Sequence, residues 1–285
     1  MIKAYYALTK PGIIYGNALT TIGGFVLAAK LHLDLWLLFG ALIGISLVIA
    51  SGCVFNNYID RGIDGKMERT KNRSLVTNSI PARHALIFGT FLGLAGFTIL
   101  YLYTNFLATI VALVGFFVYV VVYSYFKRHS VFGTIVGSVA GAVPPIVGYV
   151  SAKNELDAGA LILFLILALW QMPHFYSIAI YRLEDYRTAG IPVMPVKKGI
   201  LVTKINIVGY IVGFIIALGG LTMQGYTSLI FLTIMGLLGL VWLGLGLKGF
   251  AQNNNDKPWA RKMFFVSLIV ITMLPIAIII DLVLA

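Results

Sequence analysis

Nine stretches of this chain each run for about twenty apolar residues, the length a helix needs to cross the hydrocarbon of a bilayer. They lie at about 12–29, 36–58, 82–103, 106–126, 132–152, 159–181, 203–223, 226–248 and 263–284. A backbone inside lipid must pair every N–H and C=O internally, which leaves only helices or a closed barrel. Runs this long exceed barrel strands, so the pattern predicts an all-α polytopic membrane protein of nine transmembrane helices. The first span is the most dilute, with Asn17, Thr20, Thr21 and several glycines. Small polar residues are common where membrane helices touch, so it still qualifies. Composition agrees, because 60% of the 285 residues are hydrophobic and only 11% are charged. A net charge of +11 on so apolar a chain points away from nucleic acid and toward membrane orientation and an anionic substrate.

Lysine and arginine placement sets the topology. With the N-terminus in the cytoplasm, nineteen of the 21 basic residues fall on inner segments and only Lys30 and Lys153 fall outside. That bias independently favours an odd number of spans. Met1 to Pro11 is short and polar and runs into a full-length span, which is not the pattern of a cleavable signal. The single Cys53 excludes an intramolecular disulfide and any multi-cysteine metal site. Residues 1–285 are expected to form one domain. Its two long inner loops, about 59–81 and 182–202, are the places where function is expected. The Asn- and Lys-rich segment from Gly249 to Lys262 has the look of a connector without chemistry.

The first long loop follows Asn56, Asp60 and Asp64, spaced i, i+4, i+8. On a helix these share one face. Amide and carboxylate oxygens in line suit a hard cation such as Mg²⁺. Lone carboxylates at a membrane helix end are costly, which argues for a partner. Arg69, Lys71 and Arg73 follow at alternate positions, as a diphosphate clamp requires, although a basic cytoplasmic loop explains them equally well. The second loop opens Tyr181-Arg182-Leu183-Glu184-Asp185-Tyr186-Arg187 and continues to Lys197-Lys198. Upstream, Pro173 is expected to loosen its helix. Gln171 and His174, three apart, are expected to share a face toward the bundle interior. His174 fits either a hydrogen bond between helices or contact with a substrate. His32, His84 and His129 fit interfacial positions, and Pro144-Pro145 should break span five. No Ser-His-Asp or Cys-His arrangement stands out. A transporter also fits nine helices with proline breaks, but here the polar residues gather at one membrane face instead of the midplane.

The Asn-x-x-x-Asp-x-x-x-Asp pattern at Asn56, Asp60 and Asp64 resembles the first motif of the UbiA family of intramembrane prenyltransferases. Thr9-Lys10-Pro11-Gly12, Met67-Glu68-Arg69-Thr70-Lys71-Asn72-Arg73, Trp170-Gln171-Met172-Pro173-His174-Phe175 and Glu184-Asp185-Tyr186 look like the branch of that family that farnesylates haem. The resemblance runs from Thr9 to about residue 262. It implies nine helices around a central cavity open to lipid, in a bacterial inner membrane, with the active site on the cytoplasmic side. It also implies the reaction, in which farnesyl diphosphate and the substrate haem B give haem O and diphosphate. Haem A synthase or a terminal oxidase would then be a partner. Mg²⁺ would be held by Asn56, Asp60, Asp64 and Asp185. The diphosphate would be held by Arg69, Lys71, Arg73, Arg182 and Lys198, and the haem would touch His174 and Gln171. One departure stands out, because the wider family pairs two aspartates four apart in its second motif, and here Asp185 is followed at that spacing by Ala189. Glu184 is the carboxylate at hand to compensate. The same fold and metal site would also serve an enzyme acting on an aromatic acid or quinone precursor.

Overall fold

A computed structural model describes residues 1–30, 32–251 and 255–284. In chain order the helices are α1 Ile2–Leu8, α2 Pro11–Ala29, α3 Leu35–Asp64, α4 Ala82–Tyr103, α5 Phe106–Phe117, α6 Ser124–His129, α7 Gly133–Gly141 and α8 Val143–Lys153. They continue as α9 Ala158–Tyr181, α10 Leu183–Thr188, α11 Met194–Lys197, α12 Ile200–Met223, α13 Leu229–Lys248 and α14 Asp256–Leu284. A π-helical turn, Val118–Tyr123, joins α5 to α6. Among the described residues, nine helical segments are long and apolar enough to cross a membrane, and each coincides with an expected span. The chain is an integral membrane protein.

The differences from expectation lie at the ends of spans. α3 runs on to Asp64, so the first motif is wholly helical and the loop begins at Gly65 instead of 59. The second loop is not irregular, since α10 and α11 occupy much of it. α14 begins at Asp256, ahead of the expected 263, with Pro258 in its first turn, where a missing N–H costs nothing. Lys257, Arg261 and Lys262 therefore ride on a helix. Of the expected connector, residues 252–254 lie outside the described residues. Span five does break, at Ala142, with Pro144 opening α8. α9 instead runs unbroken through Pro173.

The bundle is assembled by close backbone approach. α2 crosses α8 so tightly that a Cβ on Gly24 would lie 1.9 Å from the Pro145 carbonyl oxygen, and one on Gly148 would lie 2.1 Å from that of Thr21. α3 and α4 meet through Gly44 and Gly96, and Ser51 Oγ donates to the Gly89 carbonyl at 2.7 Å. In lipid, such contacts replace the hydrophobic drive that water supplies elsewhere.

The two ends of the bundle are built differently. α3, α5, α9 and α13 start on the face opposite the motif, and each has a side-chain cap, from Asp34, Asn105, Asp157 and Ser228 respectively. Asp157 also accepts from the Tyr149 hydroxyl and pairs with Lys153. Burial alone would raise its carboxyl. The Lys153 ammonium, the Ala160 N–H and the Tyr149 hydroxyl outweigh that and hold it at about 2. Asp281, buried in α14, accepts from the N–H groups of Ser228 and Phe231 at 2.8 and 2.9 Å and from Ser228 Oγ at 2.5 Å. By contrast α2, α4 and α12 start on the motif face after Lys10, Pro81 and Gly199 and have no side-chain cap.

Gly148→Ala should force α2 and α8 apart and cost about 1–3 kcal/mol, read as a lowered melting temperature in detergent. An unchanged melting point would contradict the close crossing. Asp281→Ala strands three donors and should cost at least about 2 kcal/mol by the same measurement, whereas Asp281→Asn should recover part of the loss.

Candidate active site

The carboxylate ladder lies on the inward face of α3. Asn56, Asp60 and Asp64 are 3%, 0% and 1% exposed, so the four-residue spacing does place all three together. Asn56 Nδ2 donates to Asp60 Oδ2 at 3.0 Å. Each charge is answered by a base. Asp60 pairs with Lys127 and, at 3.2 Å, with Arg128, both at the end of α6. Asp64 pairs with Arg73 at 2.5 Å. Burying an unpaired carboxylate costs several kcal/mol, so these pairs are what allow the ladder to sit inside the protein.

Lys10 adds a fourth base. Its Nζ donates to Asn56 Oδ1 at 2.8 Å. Lys10 occupies the left-handed region, at φ 52 and ψ 66, directly before Pro11. That conformation costs a residue with a Cβ about 1–2 kcal/mol, and such strain gathers at functional sites. Burial, first of all, pushes the Lys10 ammonium down to about 8, and the nearby positive charges of Arg73 and Lys127 add to this.

The second loop reaches the same end of the bundle. The Arg69 guanidinium lies 5.8 Å from the centre of the Tyr186 ring on α10. Tyr119 and Tyr123 stack 5.7 Å apart on the π-helical turn, a type of distortion frequent at functional sites. Among the described residues, Asp185 Oδ2 is buried without a hydrogen-bond partner, and its nearest base, Arg182, stands 3.9 Å away. An orphaned carboxylate oxygen of this kind needs an ion, a water or a substrate. Glu184 points the other way, 79% exposed and paired with Arg187, so it supplies no second inward carboxylate on α10.

Several expected site residues do not converge. Residues 65–80 form turns rather than an extended strand, so alternate spacing does not align their bases. Arg73 reaches the ladder and Arg69 faces α10, but Lys71 is exposed and pairs with Glu68 at 2.6 Å. Arg182 lies over the Tyr181 ring at 4.6 Å, and Lys198 is exposed. Gln171 and His174 face different neighbours. Gln171 Nε2 donates to the carbonyls of Ser138 on α7 and Leu167 on α9, both at 3.1 Å, whereas His174 Nδ1 lies 2.7 Å from Ser267 Oγ on α14. Conversely, Lys127 and Arg128 figure in the sequence reading only as topology-setting charges, and Lys10 only as one of those and as part of a resembling motif. The available signal was that they sit on the same membrane side as carboxylates that needed partners.

Among the described residues, no three of His, Cys, Asp and Glu form a ready metal cage. The donor chemistry nevertheless fits a hard cation, with an amide oxygen and two carboxylates on α3 and the orphaned oxygen of Asp185 at the same end of the bundle.

Known proteins agree with this architecture. The model of the UbiA prenyltransferase family matches residues 17–269. Protoheme IX farnesyltransferases of Serratia proteamaculans and Sodalis glossinidius are 54% and 53% identical to the chain, over 99% of its length and 95% of theirs. A solved structure of digeranylgeranylglyceryl phosphate synthase superposes with a TM-score of 0.82 at 18% identity, covering 99% of this chain and 98% of that one. A UbiA homologue from Archaeoglobus fulgidus bound to GPP and Mg²⁺ gives 0.70 at 15% identity, covering 97% and 99%. Matched along most of its length by the family model and at more than half its positions by curated relatives, the chain belongs to the UbiA prenyltransferase family.

Proposed function

We propose that this chain transfers the farnesyl group of farnesyl diphosphate to a vinyl group of haem B, releasing diphosphate and leaving the hydroxyethylfarnesyl group of haem O. The observation that carries this is the 53% and 54% identity, over 99% of the chain, to protoheme IX farnesyltransferases. Residues 1–285 act as one catalytic domain in the bacterial cytoplasmic membrane, with the N-terminus and the motif face in the cytoplasm. Supporting that orientation, nineteen of 21 basic residues fall on the motif side. Haem O would pass to haem A synthase or directly to a terminal oxidase.

Mg²⁺ held by Asn56, Asp60, Asp64 and Asp185 would act as a Lewis acid on the diphosphate oxygens, as the Mg²⁺-bound structural relatives suggest. The chain's own bases do the rest of the electrostatic work. Arg73, Lys10 and Lys127 line the ladder and offset the charge that builds on the leaving diphosphate. Arg69, Lys71, Arg182 and Lys198 draw the anion toward this face from the aqueous side. The allylic C–O bond breaks with its electron pair going to diphosphate. The vinyl π electrons of the porphyrin then form the new C–C bond. Water adds to the cation left beside the macrocycle, and loss of a proton gives the hydroxyl. The protein must shield the first cation from water and admit water to the second, which a site at the membrane boundary is placed to do. Gln171, whose amide donates to Ser138 on α7 and to Leu167 on its own helix, serves helix packing and not the chemistry.

Asp60→Asn should lower haem O formation at least about 100-fold in membranes supplied with haem B and farnesyl diphosphate, with the protein still inserted. Product is identified by mass, and prenylation of an aromatic acid instead of haem would replace the assigned acceptor. Stripping divalent ions with a chelator should abolish turnover, and added Mg²⁺ should restore it. Full turnover under chelation would remove the metal from the reaction.

A further inference from the structure

The first turns of α14 carry Lys257, Arg261 and Lys262, all exposed. Lys71 and Arg187, also exposed on the motif face, find carboxylates in Glu68 and Glu184. Among the described residues the three bases of α14 pair with no carboxylate. The acid beside them, Asp256 in the same first turn, is taken by the buried Lys204 of α12 at 2.5 Å. Lys204 is held there by the Gly249 carbonyl, to which it donates at 2.8 Å. The charge of Asp256 is therefore cancelled from inside the bundle. Lys257 also stands at the positive end of the helix dipole, where an anion is favoured. Three positive charges are left that the polypeptide does not answer.

The surface below them is apolar. The Lys257 ammonium lies 5.9 Å from the centre of the Tyr181 ring, and the Arg261 guanidinium lies 5.7 Å from that of Phe265. From there the outward side of α14 continues as Phe265, Leu268, Ile269 and Ile276, all exposed. Eleven residues of helix, from Phe265 to Ile276, rise about 16 Å. That is close to half of the roughly 30 Å hydrocarbon thickness, the depth of one leaflet. The face thus presents cations at the water boundary and then one leaflet of apolar surface. A soluble anion could use only the first part. A lipid with a charged phosphate and fatty tails matches both.

We propose that the outward face at the start of α14 binds an anionic phospholipid, with its phosphate on Lys257, Arg261 and Lys262 and its acyl chains along Phe265, Leu268 and Ile269. Bases near a membrane attract anionic lipid in general. This cluster is distinguished because the one neighbouring acid is already neutralised by Lys204. The site lies outside the bundle, apart from the carboxylate ladder, and depends on neither the acceptor nor the reaction assigned above. A headgroup there also braces the end of α9, because Lys257 and Arg182 share the Tyr181 ring.

The test is the melting temperature of the purified full-length protein in detergent, with dioleoyl phosphatidylglycerol or dioleoyl phosphatidylcholine added. The two share their tails and differ in headgroup. Phosphatidylglycerol should raise the melting temperature at least about 3 °C above phosphatidylcholine, and about 0.5 M NaCl should remove half or more of that difference. Glycerol 3-phosphate at the same concentration should give no rise, and a rise equal to that with phosphatidylglycerol would replace the lipid by a free anion. Lys257→Gln/Arg261→Gln/Lys262→Gln should melt with the wild type in phosphatidylcholine and lose the phosphatidylglycerol increment. Should that protein not fold, Arg261→Gln alone should lose at least about half the increment. Lys3→Gln/Lys66→Gln/Arg83→Gln removes the same charge from other exposed positions and should keep it. A wild type that melts alike in both lipids overturns the site without recourse to any variant, as does an equal loss in the two triple variants.

Discussion

The structure turns on the pairing of two buried carboxylates with bases from distant parts of the chain. Asp60 and Asp64 sit at the end of a membrane helix with almost no solvent contact. Charges in that position are tolerated only when matched. Lys127 and Arg128 come to Asp60 from the end of span four, and Arg73 comes to Asp64 from the turns after α3. Lys10 closes the set from the start of span one through Asn56. Three separate elements are thereby fixed to one face of α3, and the same groups become the site's electrostatics.

Much of this was legible in the sequence, for physical reasons. A bilayer imposes a length on every span, so nine runs could be counted. A four-residue spacing on a helix fixes a shared face, so Asn56, Asp60 and Asp64 could be placed together. The pairing of Lys127 with Asp60 spans 67 residues, and nothing local in either segment reports it. Alternate spacing misled at Lys71 because residues 65–80 turn instead of extending. A three-residue spacing misled at Gln171 and His174 because α9 is wedged between α7 and α14. Two positions less than one turn apart on it therefore meet different neighbours. The start of α14 was missed because its first turn is polar and contains a proline, both normal for a helix entering from water.

The two bundle ends divide structure from chemistry. On the face away from the motif, helix starts are closed by Asp34, Asn105, Asp157 and Ser228, and caps of this kind are each worth about 1 kcal/mol. Buried Asp281 ties α13 to α14 at that same end. On the motif face the polar side chains are engaged in ion pairs between helices, or left with an unbonded oxygen as at Asp185. Glycine contacts such as Gly24 with Pro145 hold the helices at a fixed separation between the two ends.

The matched charges also bear on biogenesis. Many metal-dependent folds rely on their ion to cancel repulsion among ligands, and they come apart without it. Here lysine and arginine from the same polypeptide already supply that cancellation. Insertion and helix assembly can thus be completed as soon as translation ends, with no requirement that divalent ion or isoprenoid be abundant at that moment.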